Sequence, residues 1–173
     1  MRRTKKTFIT APGDPAPLTL ELKHRLAFSE VDALAIGWHG NYPRFFEMAH
    51  TELMRKIGLT YEAYRKNEVG APIVQFHADY FAPLVLDELF TIRAEYVWSG
   101  GARINVNYEV IKENGELAAT GYTVQMLFDP HTHTPYITTP PFFQEVLDKW
   151  QDGELYEVIS KPAQNALRDE RSG

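Results

Sequence analysis

Tyr42-Pro-Arg-Phe-Phe-Glu-Met-Ala-His-Thr-Glu-Leu-Met-Arg-Lys-Ile-Gly58 is the one long helical stretch in a chain that otherwise alternates like a sheet. Tyr42, Phe45, Phe46, Ala49, Leu53, Met54 and Ile57 recur at i, i+3, i+4 and i+7 spacing, which places them on one face of an α-helix. Asn41 stands where a cap is wanted, Pro43 suits the first turn, and Gly58 supplies the stop. So aromatic a stripe reads as core rather than as a cofactor box. It needs an apolar sheet to cover. Tyr61–Asn67 reads as a second, short helix ending near Gly70.

Working outward, Leu18, Leu20, Leu22, Leu26 and Phe28 share one face while Thr19, Glu21, Lys23 and Arg25 share the other, which predicts a half-buried strand. His24 falls on the apolar face and reads as a hydrogen-bonded or edge-exposed histidine, not a ligand. Past the helices, Val74, Phe76, Ala78 and Tyr80 alternate with Gln75, His77 and Asp79. Phe90 to Trp98, Ile104 to Val110 and Leu117–Phe128 give three more strands. Ser99-Gly100-Gly101 marks a turn, and Asn114-Gly115 marks a hairpin whose two central residues would both take φ > 0. Phe142–Trp150 reads as a terminal helix after Pro140-Pro141. One strand, a long helix and four strands in a meander make an α+β domain. Its five-stranded antiparallel sheet wraps around the helix, and the sheet's edges predict pairing between subunits.

Composition narrows the chemistry. The chain has 173 residues and no cysteine, which excludes a disulfide scaffold, a thiolate metal site and a cysteine nucleophile. Its length predicts one domain with a self-sufficient core, and no apolar run reaches the ~18 residues of a membrane span. Residues 1–17 hold four basic side chains, one acid and three prolines, and read as a flexible tail rather than a targeting signal. Without them, 14 Lys and Arg stand against 22 Asp and Glu, an acidic body that argues against nucleic acid as a partner. The domain proper is read as 18–160, with 161–173 a loose C-terminal tail. Cysteine usage fits a cytoplasmic location.

The stretch Phe28-Ser-Glu-Val-Asp-Ala-Leu-Ala-Ile-Gly-Trp-His-Gly-Asn-Tyr42 joins the first strand to the helix. It sets Glu30, Asp32 and His39 just ahead of a helix start, where unpaired amides and the positive dipole end suit a developing oxyanion. A carboxylate there is placed to attack a carbonyl or to activate a water. Spacing alone leaves capping as the competing explanation.

The order of residues adds to this. Phe28, Glu30, Asp32, Ile36, Trp38, His39, Asn41 and Tyr42 resemble the signature of hot-dog-fold acyl-CoA thioesterases, of the 4-hydroxybenzoyl-CoA and Tol–Pal-associated types. The likeness continues through Phe46–Glu52, Gly70–Val74, Tyr80–Glu88 and Gly121–Asp129, about two thirds of the chain. It implies a hot-dog domain that hydrolyses an acyl- or aroyl-CoA thioester to free acid and coenzyme A. The catalytic aspartate falls on Asp32, acting as nucleophile or general base. The carbonyl-polarising amide falls at His39, whose side chain also stands where proton transfer is wanted. Trp38 and Tyr42 would shape the acyl pocket. The resemblance further implies a homodimer or homotetramer with sites at subunit interfaces, and no cofactor or metal beyond coenzyme A as part of the substrate. Arg93 and Arg103 are candidates for its phosphates, with surface solvation explaining them equally well.

Three departures from the pattern stand out. Leu34-Ala35 replace the usual glycine after the aspartate, so a positive φ there would strain Ala35. Val31 replaces a hydroxyl or thiol residue, and His50 stands where an arginine is common. Leu34-Ala35 and Val31 favour the alternative of a non-catalytic acyl-CoA or aromatic-acid binding protein. A hot-dog hydratase or dehydratase ranks lower, because it needs a different His-plus-acid set. Glu47, on the helix, ranks below Asp32 as the catalytic acid. His131 and His133 lack a third ligand, and no Gly-x-Ser-x-Gly elbow supports a serine hydrolase.

Overall fold

A computed structural model describes residues 6–161; the expectations for residues 1–5 of the N-terminal tail and for 162–173 lie outside the described residues. Strand β1 spans Leu18–Arg25, helix α1 Tyr42–Lys56 and helix α2 Tyr61–Lys66. Strands β2 to β5 follow as Ile73–Tyr80, Leu89–Val97, Arg103–Lys112 and Leu117–Met126. A two-residue pair, β6 (Phe128–Asp129) with β7 (Thr134–Pro135), precedes α3 (Pro141–Gln151) and α4 (Glu154–Ser160). The first strand is shorter than the alternation predicts. Phe28 belongs instead to a 3-10 turn, Phe28–Glu30, and is 82% exposed.

All strands of the main sheet pair antiparallel, in the order β1-β3-β4-β5-β2. The expected meander therefore holds only for β3, β4 and β5. β2 pairs with β5 at the far edge, and residues 81–88 carry the chain back across the sheet. Alternation fixes which face a side chain takes but says nothing about which strand lies next door. The hairpin at Asn114-Gly115 forms, yet only Gly115 takes positive φ, at 84°. Lys112 N donates to Glu116 O at 2.8 Å across a three-residue loop, a type that needs a single left-handed residue.

Helix α1 lies in the concave face as its stripe requires. Tyr42, Phe45, Phe46, Ala49, Leu53 and Met54 are all buried. Phe46 stacks on Tyr108 with centroids 4.5 Å apart, and Phe45 meets Phe90 edge-on at 5.2 Å. Where Phe46 crosses β5 the sheet has Gly121. A Cβ there would stand 2.4 Å from both the Phe46 ring and the His77 carbonyl, so only glycine admits the ring. The end of the core is closed by α3 and α4. Trp150 packs 4.6 Å from Tyr96 and 5.2 Å from Trp98.

Residues 6–17 carry no helix or strand but touch the body at both ends. Asn107, on the sheet face turned away from α1, accepts from Phe8 N at 3.2 Å and donates to Phe8 O at 3.0 Å, and Lys6 pairs with Glu95. Trp150 Nε1 and the Tyr156 hydroxyl both donate to Ala16 O, at 2.9 and 2.7 Å.

Candidate active site

The loop from β1 to α1 is held by one buried side chain. Glu30 is 3% exposed, and its carboxylate collects His24 Nε2 at 2.9–3.0 Å, Ala27 N at 2.8 Å, and the Arg44 guanidinium. Its carbonyl accepts from Trp38 N at 2.9 Å and Asn41 Nδ2 at 2.7 Å. Burial alone would raise the Glu30 pKa. The Ala27 amide, the His24 hydrogen bond and the charges of His24 and Arg44 outweigh it and hold the carboxyl below its ordinary value. Residue 30 thus ties the end of β1 to the start of α1. His24 is hydrogen-bonded, as its place on the apolar face suggested. Asn41 precedes the helix but makes no side-chain cap bond: its backbone is already helical, at φ −85° and ψ −18°, and its side-chain NH₂ donates to Glu30 O.

Asp32 heads a tight turn two residues on. Its N–H donates to Ile36 O at 2.9 Å and its carbonyl accepts from Ala35 N at 3.0 Å. Its Oδ1 accepts from Leu34 N at 2.8 Å. Oδ2 makes no hydrogen bond to the described residues. The half-buried carboxylate is therefore oriented by one oxygen and free at the other. The turn forces Ala35 to φ 57°, the left-handed region that glycine would enter without strain. Bridges Val31↔Gly37 and Ile36↔Val85, with Gly37 N donating to Leu84 O at 2.8 Å, lay the turn against residues 81–88.

Beyond Gly37 the chain enters a 3-10 turn, His39–Asn41, that runs into α1. Asn41 N is taken by Trp38 O, and Tyr42 N by His39 O. The amides of His39 and Gly40 donate to no acceptor among the described residues. The half-exposed Trp38 ring lies over Gly40 so closely that a Cβ there would stand 2.4 Å from it, and it packs 5.3 Å from the His39 ring. The His39 side chain is exposed, and no hydrogen bond joins it to Asp32. Tyr42 lies inside the core, 4.8 Å from Tyr80, with burial, Tyr80 and Glu88 pushing its pKa up to about 12. The Tyr80 hydroxyl donates to His39 O at 3.3 Å.

A groove of about 850 Å³ starts at Gly40 and Pro43 and runs along the open face of α1, between that helix, α2 and the β2–β5 edge. Glu47 and His50 line it; Asp32, Trp38, His39 and Tyr42 do not. Within one chain, the residues singled out by sequence cluster at the loop and helix start, and the groove opens from that same start. Arg93 lies between Glu21 and Glu109, at 2.6 and 2.7 Å, on the sheet face away from α1, which leaves it committed. Sequence reasoning missed Arg44 as the partner of Glu30, since the two are separated by a loop whose path no periodicity fixes.

The sequence profile of the thioesterase-like superfamily matches residues 26–151. Among curated proteins, the chain is 29% identical over 92 residues to a putative esterase of Aquifex aeolicus, covering 53% of this chain and 72% of that one. It is 23% identical over 106 residues to the Escherichia coli acyl-CoA thioester hydrolase YbgC, covering 61% and 79%. Among solved structures, the DHNA-CoA thioesterase of Staphylococcus aureus superposes with TM-score 0.68 at 24% identity, over 79% of this chain and 93% of that one.

Proposed function

The chain belongs to the thioesterase-like superfamily, and on that premise we propose that it hydrolyses an acyl- or aroyl-CoA thioester to the free acid and coenzyme A. What carries this reading is that one loop, between β1 and α1, holds both Asp32, fixed by one oxygen and free at the other, and two uncommitted amides at the helix start. A thioester carbonyl placed on the amides of His39 and Gly40 would gain stabilisation of its tetrahedral oxyanion. Asp32 Oδ2 then serves in one of two ways. As nucleophile it bonds to the acyl carbon, expels the coenzyme A thiolate and leaves a mixed anhydride that water opens. As general base it takes a proton from an attacking water in a single displacement.

The other named residues take supporting roles in this account. Trp38 covers Gly40 at the groove's start, and Tyr42, buried in the core against Tyr80, supports the helix start rather than lining the groove. The His39 imidazole lies exposed against Trp38, at the mouth of the loop. Asp32 does not face the groove of its own chain, which favours a homodimer in which each loop serves a shared site. Support comes from β2. It is an unpaired sheet edge whose Ile73, Val74, Phe76 and Tyr80 are all exposed, the arrangement that invites a second copy. No described helix is long and apolar enough to cross a membrane.

Free-thiol release from a panel of acyl-CoAs tests the activity. Single turnover in H₂¹⁸O with rapid quench separates the routes: label returning in Asp32, or an acyl group trapped on Asp32, supports the anhydride, and label only in the product with no trapped acyl-Asp32 supports the general base. A protein that binds an acyl-CoA yet releases no thiol from any member of the panel is the non-catalytic alternative.

A further inference from the structure

The two free amides at the helix start are not equivalent. A peptide unit is one conjugated group, so a donor on its carbonyl oxygen draws electrons from its nitrogen and makes its N–H a stronger donor. The His39 amide belongs to the peptide whose carbonyl is Trp38 O, and that oxygen accepts from Asn41 N at 3.0 Å. The Gly40 amide belongs to the peptide whose carbonyl is His39 O. That oxygen accepts twice, from Tyr42 N within the turn and from the Tyr80 hydroxyl at 3.3 Å. Gly40 also lines the groove, whereas His39 does not.

Packing brings the Tyr80 hydroxyl to this carbonyl. Tyr80 is the last residue of β2, at the open edge of the sheet, and is about half exposed. Its ring meets Tyr42 edge-on, with centroids 4.8 Å apart and planes at 88°. Tyr42 is the first residue of α1 and is buried, so the ring that locates Tyr80 is itself fixed by the core. Tyr80 does not line the groove, and the chemistry assigned to Asp32 leaves its hydroxyl unused.

We propose that Tyr80 is a positioning residue for the hydrolysis, its hydroxyl holding and polarising the His39–Gly40 peptide so that Gly40 N–H is the stronger of the two donors to the thioester oxygen. The inference rests on the thioesterase reading of the loop. At 3.3 Å the bond is long for a hydroxyl donor. As negative charge builds on the thioester oxygen, the bond from Gly40 N–H strengthens, electron density moves onto His39 O, and the Tyr80 bond tightens with it. An interaction that strengthens only as charge develops raises kcat and leaves substrate binding little changed. Outright loss of one oxyanion donor costs roughly 10²–10³-fold in kcat. A neighbouring bond strengthens such a donor by about 10–30%, so the share of Tyr80 comes to about 2–8-fold.

The test compares three full-length proteins. Tyr80→Phe keeps the ring against Tyr42 and removes the donor. Tyr80→3-fluorotyrosine, placed at that position alone, keeps the shape and strengthens the donor, and is assayed with wild type at a pH where the fluorinated phenol stays protonated. Thiol release from the best acyl-CoA of a panel should give a kcat that rises from Tyr80→Phe through wild type to the fluorinated protein. Tyr80→Phe should fall about 2–8-fold below wild type, with KM changed by less than about twofold. A residue that only props the helix start gives no rise on fluorination. The Gly40 amide ¹⁵N resonance reads the same bond without turnover and should move in opposite directions in the two variants. Equal kcat in all three proteins, a Tyr80→Phe loss confined to KM, or a fluorinated protein slower than wild type overturns the proposal. If no acyl-CoA is hydrolysed, the thioesterase reading fails, and the Gly40 resonance decides the rest. Opposite displacements then support the polarised amide, and a resonance unmoved in both variants overturns it.

Discussion

Replacing Glu30 by Gln removes one charge and almost no volume from the point where β1 and α1 are tied together. The glutamine carbonyl can still accept from Ala27 N, but its NH₂ then faces His24 or Arg44, both donors in the wild-type network. Two charge-assisted bonds are affected, each contributing roughly 1.5–3 kcal/mol when buried. Arg44 is 54% exposed, so its share is discounted for solvent screening. The expected loss is about 2–4 kcal/mol at pH 7, or roughly 5–15 °C in Tm for a domain of this size. The pH dependence follows from the lowered Glu30 pKa. A depressed carboxyl contributes stability that is present above its unfolded value, about 4.3, and lost as pH falls through the folded value. The gap between wild type and Glu30→Gln should therefore be full at pH 7 and close in acid, below about pH 4. Thermal melts of both proteins between pH 3 and pH 7 measure this. A Tm change under 1 °C at pH 7, or a gap that widens in acid, would refute the assignment of residue 30 as the tie.

Other outcomes follow from the same geometry. Ala35→Gly relieves a left-handed alanine, with a gain of ~1 kcal/mol offset by the extra freedom of glycine in the unfolded chain. Its Tm should rise by up to about 3 °C or stay level, and a clear drop in a melt contradicts the strained turn. Gly121→Val places a side chain where Phe46 and the His77 carbonyl already stand. It should cost about 1–3 kcal/mol or block folding, as read by urea denaturation; wild-type stability contradicts the close approach. Val74→Glu puts a charge on the open edge of β2, so sedimentation should show wild type near twice 19.8 kDa and the variant at that mass. A monomeric wild type removes the shared site from the account.

What the sequence made legible was what period and chemistry alone determine. The stripe from Tyr42 to Ile57 is buried as its spacing requires, and Gly58 stops the helix with φ 87°. The missing glycine at Ala35 proved to be a place where the backbone does turn left-handed. Neighbour relations were not legible. Val74, Phe76, Ala78 and Tyr80 alternate like core residues, yet β2 lies at an edge and its apolar side chains are largely exposed. Ala16 contributes only a carbonyl to Trp150 and Tyr156, a backbone contact that no side-chain pattern encodes. Within the site, Asp32 and the helix start could be read from a contiguous motif. Glu30's link to Arg44, and the line from His50 through Tyr108 to Thr123, join distant elements and became visible only once the sheet order was known.

The central claim is that the free oxygen of Asp32 performs the hydrolysis. The direct measurement is thiol release by wild type and Asp32→Asn on the best acyl-CoA of a panel, with binding of the same thioester measured in parallel. The account predicts a fall of roughly 100-fold or more in kcat, as loss of a key acid–base group entails, with binding largely retained. A variant that turns over within a few-fold of wild type contradicts it and moves the chemistry to another acid, with Glu47 on the groove the first to examine.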